Sequence, residues 1–155
     1  MSKKIATTIS SAAVSFLVLY LVFGRLADAG KAESYEIAGD SVPSVATAIG
    51  YRKVRRQRST DGEEPGRELT FTTDTPARDV RAYAGYLTAN AGFRLLADID
   101  PNLHTGFASL VGPSSEAGMA LHVEITYNIG SFTVTLARKK ALSRPQSAAG
   151  ATDYE

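Results

Sequence analysis

Between Ile5 and Gly24 the chain carries no charged residue, and this run limits what the protein can be more than any other feature. Its second half is almost wholly apolar, and Phe16-Leu17-Val18-Leu19-Tyr20-Leu21-Val22-Phe23 is unbroken. A helix of about 20 such residues, rising about 1.5 Å each, spans the roughly 30 Å hydrocarbon layer. Every backbone group of such a helix is paired internally, so lipid accepts it. Lys3 and Lys4 precede the run, Arg25 and Asp28 follow it, and Tyr20 falls near the far end, where membrane-interface aromatics gather. Three readings compete. An uncleaved anchor uses the whole span. A cleaved signal peptide uses Ala12–Phe23 as its apolar core and Ala27-Asp28-Ala29 as a small-x-small site, with cleavage before Gly30. A buried core helix of a soluble protein would show a polar face, and this run has nothing more polar than Thr and Ser. The anchor is preferred, because the span exceeds a signal-peptide core and Arg25 is a natural stop flank. Lys3 and Lys4 favour a cytoplasmic N-terminus, although Arg25 and Lys31 on the other flank weaken the bias. Residues 30–155 are therefore expected outside the cytoplasmic membrane.

A length of 155 residues predicts one domain. The balance of 17 Lys+Arg against 16 Asp+Glu gives no global pull toward nucleic acid. No Cys is present, which excludes disulfides, thiolate metal sites, Cys nucleophiles and a lipidated N-terminal Cys. With two His and no Trp as well, the raw material for catalysis or metal binding is scarce.

The expected fold is α+β: an N-terminal transmembrane helix, then a small antiparallel sheet packed on one main helix (76–91), with a short helix near 42–49. Residues 1–4 form a cytoplasmic head, 5–24 the anchor or signal-peptide core, 25–40 a juxtamembrane connector, 41–141 the domain and 142–155 a disordered tail. In 41–50, Pro43 near the start, Gly50 past the end and Val42, Val45, Ala46 and Ile49 at helical spacing predict a short helix. Tyr51–Arg58 and Glu68–Thr73 read as strands around a turn-rich Asp61–Gly66. The main helix has Thr75 as N-cap, Pro76 in its first turn, Asp79 against the dipole and Gly92 as its stop. Its apolar stripe is Val80, Tyr83, Ala84, Leu87 and Ala91. Phe93–Asp98, Gly106–Gly112, Gly118–Tyr127 and a last strand with Phe132, Val134 and Leu136 alternate with period two, as in an antiparallel sheet with one wet face. Phe93, Leu95 and Ala97 are expected to share a side.

Five groups of residues are candidates to carry function. Arg52, Lys53, Arg55, Arg56 and Arg58 follow Tyr51 and suit an anionic contact with lipid headgroups, an envelope polymer or an acidic protein face. They equally suit a solvated edge strand, where cations block unwanted pairing and cross-strand acids absorb charge. His122 and Glu124 point the same way on one strand, a geometry open to acid–base work but without an evident nucleophile or further metal ligands. Asp98 and Asp100 begin a stretch like a calcium loop, but Leu103 stands where Gly is needed and Ser109 where Glu is needed, so a turn explains them. Ser114-Ser115-Glu116 lacks the strand–turn–helix context of a nucleophile elbow. Tyr86 lies off the apolar stripe and is a candidate contact residue, whereas Tyr83 reads as core.

The sequence thus reads as a membrane-anchored, extracytoplasmic, non-catalytic interaction domain, an accessory or scaffolding subunit of an envelope assembly. No catalytic residue, metal or cofactor is expected. The bilayer, through residues 5–24, and an envelope protein are the expected partners, without nucleic acid. The alternative is a cleaved, secreted domain that binds an anionic polymer or small ligand. An enzyme would have to rely on His122, Glu124, Asp98 or Asp100.

Overall fold

A computed structural model describes residues 29–60, 64–97, 99–100 and 103–141. The expected head and anchor (1–24) and tail (142–155) lie outside the described residues, as does Asp98. Among the described residues no helix is long and apolar enough to cross a membrane.

The domain is α+β. Its chain order is β1 (Ser34–Ile37), β2 (Asp40–Pro43), α1 (Val45–Ile49), β3 (Lys53–Thr60), β4 (Gly66–Thr72), α2 (Pro76–Asn90), β5 (Arg94–Ala97), β6 (Gly106–Pro113), β7 (Met119–Asn128) and β8 (Ser131–Lys140). Strands β3 to β8 form an antiparallel sheet in the order β3-β4-β8-β7-β6-β5, and β1 and β2 make a separate hairpin. Helix α2 carries the chain from β4, beside one edge, to β5 at the other.

Period-two alternation decides which face is covered. Leu69 and Phe71 of β4, Ala108 and Leu110 of β6, Leu121, Val123, Ile125 and Tyr127 of β7, and Phe132, Val134 and Leu136 of β8 are all buried. Phe71 and Phe132 face each other in register and stack at 5.0 Å between ring centroids. Val80, Tyr83, Ala84 and Leu87 of α2 join the same core. The opposite face is wet, with Thr70, Thr133 and Thr126 in one row; Thr70 and Thr133 share a hydroxyl hydrogen bond of 3.0 Å.

Two stretches differ from expectation. The presumed connector 25–40 contains β1 and begins β2. Tyr35 pairs with Val42 and Ile37 with Asp40, and all four are buried. Their turn is Ala38-Gly39, both at positive φ (50° and 90°), the pattern of a two-residue hairpin loop; it lacks the Asn or Asp that would have flagged it. The expected helix at 42–49 is accordingly shorter. Val42 precedes a proline, which disfavours helical backbone, so Val42 and Pro43 close β2 instead. Ser44 caps α1, its hydroxyl accepting from the Thr47 N–H at 3.1 Å.

The hairpin is fastened to the rest of the domain. Asp40, 5% exposed, accepts from the Ser114 hydroxyl (2.7 Å) and the Ser115 N–H (2.6 Å). Those bonds hold its carboxyl below the ordinary range. Arg138 donates to the Ala38 carbonyl at 3.0 Å and pairs with Glu116 at 2.9 Å. Tyr35 accepts from the Val45 N–H, and burial pushes its hydroxyl up to about 12. Tyr83 donates to the Pro43 carbonyl at 2.9 Å, joining α2 to the hairpin.

Helix α2 starts at Pro76 as expected, but Thr75 makes no side-chain cap bond to the backbone. Its hydroxyl is directed to Asp79 Oδ1, at a long 3.4 Å. Asp79 lies in the first turn as expected, and is 3% exposed, on the helix's buried side. Gly92, at φ 69°, ends the helix, and Phe93 N–H returns to the Leu87 carbonyl. In β5 a bulge between Leu95 and Ala97 reverses the face of Ala97, which pairs with Ser109, and pushes Leu96 outward.

Candidate functional site

Strand β3 occupies an edge because β4 is its one partner in the sheet. With a single strand beside it, most of its side chains stay wet; Val54 alone reaches the core, at 7% exposed. Lys53 pairs with Thr72 and Val54 with Phe71, but Arg56 pairs with Thr70, leaving Arg55 as the extra residue of a bulge. Arg56 and Arg58 share the open face with their partners Thr70 and Glu68, the positions alternating with buried Leu69 and Phe71.

The structure separates the basic run into two kinds of residue. Arg52 turns inward. Its Nε donates to Asp79 Oδ2 at 2.7 Å and its Nη2 to Asp79 Oδ1 at 2.9 Å, a bidentate fork. Thr73 adds a third donor to Asp79 Oδ2 at 2.6 Å. Burial alone would raise the Asp79 carboxyl, but the bonds from Arg52 and Thr73 and the guanidinium charge outweigh it and hold the carboxyl low. The same bond holds the Arg52 guanidinium more firmly protonated. Arg67, across the hairpin, also turns to the covered side, 5.5 Å above the Tyr35 ring. Lys53, Arg55, Arg56 and Arg58 are exposed, and none of them forms an ion pair within 4 Å among the described residues. Even Arg58, directly opposite Glu68 in register, makes no such contact. Tyr51, 57% exposed, stands just ahead of this strand. Gly30 packs against the Tyr51 ring, the Arg52 carbonyl and Val54, so the chain enters the domain at the start of the basic strand.

The weaker candidates are not assembled into a site. His122 and Glu124 do share the open face of β7, but no hydrogen bond joins them. Glu124 instead meets Lys139 at 3.7 Å. Partial burial, and then the Lys139 charge, pull the His122 imidazole below its ordinary value against the opposing pull of Glu124. Asp100 offers its backbone carbonyl to the Tyr127 hydroxyl at 2.9 Å. Among the described residues no group of three or more His, Asp or Glu side chains is placed to hold a metal ion. Tyr83 is fully buried and Tyr86 half-buried.

The sequence reading did not anticipate a cleft of about 500 Å³ at the N-terminal end of α2. Arg78 and Arg81 form one wall, and Leu103, His104, Tyr127 and Ile129 line the others. Ile129, at the β7–β8 turn, is 82% exposed and Leu103 is 55% exposed. The available signal was an isoleucine inside a two-residue turn, where a polar residue is ordinary.

Compared with protein-family models, with curated proteins and with solved structures, the chain matches none.

Proposed function

We propose that the protein is a single-pass membrane protein whose α+β domain lies outside the cytoplasmic membrane and works by contact, as a non-catalytic accessory or scaffolding subunit of an envelope assembly. The observation that carries this reading is the seat of Ala29 and Gly30. Ala29 is 3% exposed and belongs to the core, and Gly30 is buried against Tyr51 and Val54. Cleavage before Gly30 would remove a core residue and create an ammonium group at a buried position, which is costly without a partner. A domain that packs both sides of that bond is suited to remain joined to the uncharged run before it.

The test is direct. The full chain with a C-terminal tag is expressed, the membranes are washed with alkaline carbonate and the intact mass is taken. A full-length product that resists the wash is expected. A soluble product beginning at Gly30 would overturn the reading and favour the alternative, a secreted domain that binds an anionic polymer or small ligand through the free cations of β3. The non-catalytic part is tested by replacing His122, Glu124, Asp98 and Asp100 singly, with no loss of phenotype expected from any of them.

A further inference from the structure

We propose that Tyr51 and the start of β3, with Lys53, Arg55 and Arg56, dock on anionic phospholipid headgroups and so fix how the domain lies on its membrane. This rests on the anchored reading above and adds the surface through which the tethered domain meets the bilayer.

Reach comes first. Six residue steps separate Phe23, the end of the apolar run, from Ala29, and a fully extended chain covers at most about 21 Å in six steps. Gly30 then lies against Tyr51 and the Arg52 carbonyl. An anchor ending at Phe23 therefore cannot hold the start of β3 far from the headgroups, whatever path the intervening residues take.

Charge comes second. Two of the cations near this edge are already engaged, Arg52 with Asp79 and Arg67 over Tyr35. Lys53, Arg55 and Arg56 are exposed and form no ion pair within 4 Å among the described residues. Arg58 is set apart from them, because Glu68 faces it across the hairpin and Glu64 follows near the far end of the strand. Lys53 and Arg56, which face Thr72 and Thr70 where Arg58 faces Glu68, thus lie toward the end of β3 nearest the membrane. Tyr51 adds an exposed amphipathic ring there, the type of side chain that settles at headgroup depth.

Edge protection alone would also place cations on β3. It does not explain their bias toward the tethered end. The other sheet edge, β5, manages with a four-residue strand, a bulge and the single cation Arg94.

The chain contains no Trp, so Tyr51→Trp introduces a single fluorescent reporter at the contact. The full chain is reconstituted in vesicles of chain-brominated phosphatidylcholine, alone or with one quarter phosphatidylglycerol. Both leaflets are alike, so either orientation presents the same lipid to the domain. Bromine quenching with a blue shift is expected in the anionic vesicles alone, and half-molar salt should abolish it as the screening length shrinks. Each cation at an anionic surface is worth about fivefold in binding, so Arg55→Gln with Arg56→Gln should lower the docked-to-free ratio about 25-fold. Arg55→Glu with Arg56→Glu should remove the quenching. Circular dichroism checks the fold of each variant, and Lys53→Gln with Arg55→Gln provides an independent pair.

Equal quenching in the two lipid mixtures, or quenching unaffected by both pairs of substitutions, overturns the proposal. A chain that resists carbonate extraction yet shows no quenching overturns the docking and leaves the anchor intact. A chain that carbonate releases overturns the anchor, and the docking with it.

Discussion

The Arg52–Asp79 pair gives a prediction whose sign and pH dependence both follow from the geometry. Arg52→Met keeps the aliphatic stem and removes the guanidinium. Asp79, 3% exposed, then loses both arms of its bidentate partner and keeps the Thr73 hydroxyl at 2.6 Å. Removing one member of a buried pair costs about 3–5 kcal/mol. The surviving Thr73 bond and the position in the first turn of α2 place this case near the lower end, at about 3 kcal/mol. For a domain of this size that is a fall in Tm of roughly 10–15 °C. In the parent, the Asp79 carboxyl is held below its unfolded value, so its contribution is fully present above the unfolded pKa. That contribution is lost as the pH falls through the folded pKa. In Arg52→Met the dominant remaining influence is burial, which raises the carboxyl; protonation then relieves the penalty instead of causing it. The stability gap between parent and variant should therefore narrow from pH 7 toward pH 4. Adding Asp79→Leu to Arg52→Met should recover much of the loss even at pH 7, because no charge remains buried. Thermal unfolding of the full chain in mild detergent, followed by circular dichroism across this pH range, measures both effects. An Arg52→Met variant as stable as the parent, or a gap that does not change with pH, would refute the assignment of Arg52 to the interior.

Three further outcomes are expected. Gly112→Ala should destabilise the domain by about 1–3 kcal/mol, because a Cβ there would lie 2.5 Å from a Phe93 ring carbon; adding Phe93→Leu should return part of the loss in chemical denaturation. Asp40→Ala should free the β1–β2 hairpin from the Ser114-Ser115 loop, read as faster amide exchange at both, and in the parent this fastening should weaken as the pH falls through the depressed carboxyl pKa. By NMR titration His122 should ionise below its ordinary value, with Lys139→Ala moving it up and Glu124→Gln moving it down.

The elements that were legible in the sequence are those whose own pattern decides them. Strands β6, β7 and β8 bury alternate residues (Ala108, Leu110 and Gly112; Leu121, Val123, Ile125 and Tyr127; Phe132, Val134 and Leu136), and α2 repeats its apolar residues at helical spacing between a proline and a glycine. Elements whose identity comes from a neighbour were not legible. Strands β1 and β2 have four residues each, too few for a pattern to stand out, and they exist because Tyr35, Ile37 and Val42 find core partners and Asp40 finds Ser114 and Ser115. In β5 one bulged residue was enough to reverse the expected face of Ala97, since strand parity does not survive an insertion.

The basic strand shows the same limit at the level of function. Its five cations are equivalent as a composition, and period-two parity would group Arg52, Arg56 and Arg58 on one side of an unbroken strand. The interior removes Arg52 from that group, because Asp79 lies 27 positions away in sequence and comes within 2.7 Å only when α2 packs on the sheet. The bulge at Arg55 then changes the phase, so that Lys53, Arg56 and Arg58 pair with Thr72, Thr70 and Glu68, the open-face positions of β4. A count of charges along the run could not distinguish an internal brace from a free cation. The two roles have separable consequences: Arg52→Met should lower stability without weakening any anionic contact that survives in the folded variant, whereas Arg55→Gln with Arg56→Gln should weaken that contact while changing stability by less than about 0.5 kcal/mol, the range usual for exposed positions. A loss of lipid contact in a folded Arg52→Met protein as large as that of the Arg55/Arg56 pair would mean that the charge of Arg52 is not sequestered, and that the division of the strand into brace and contact is wrong.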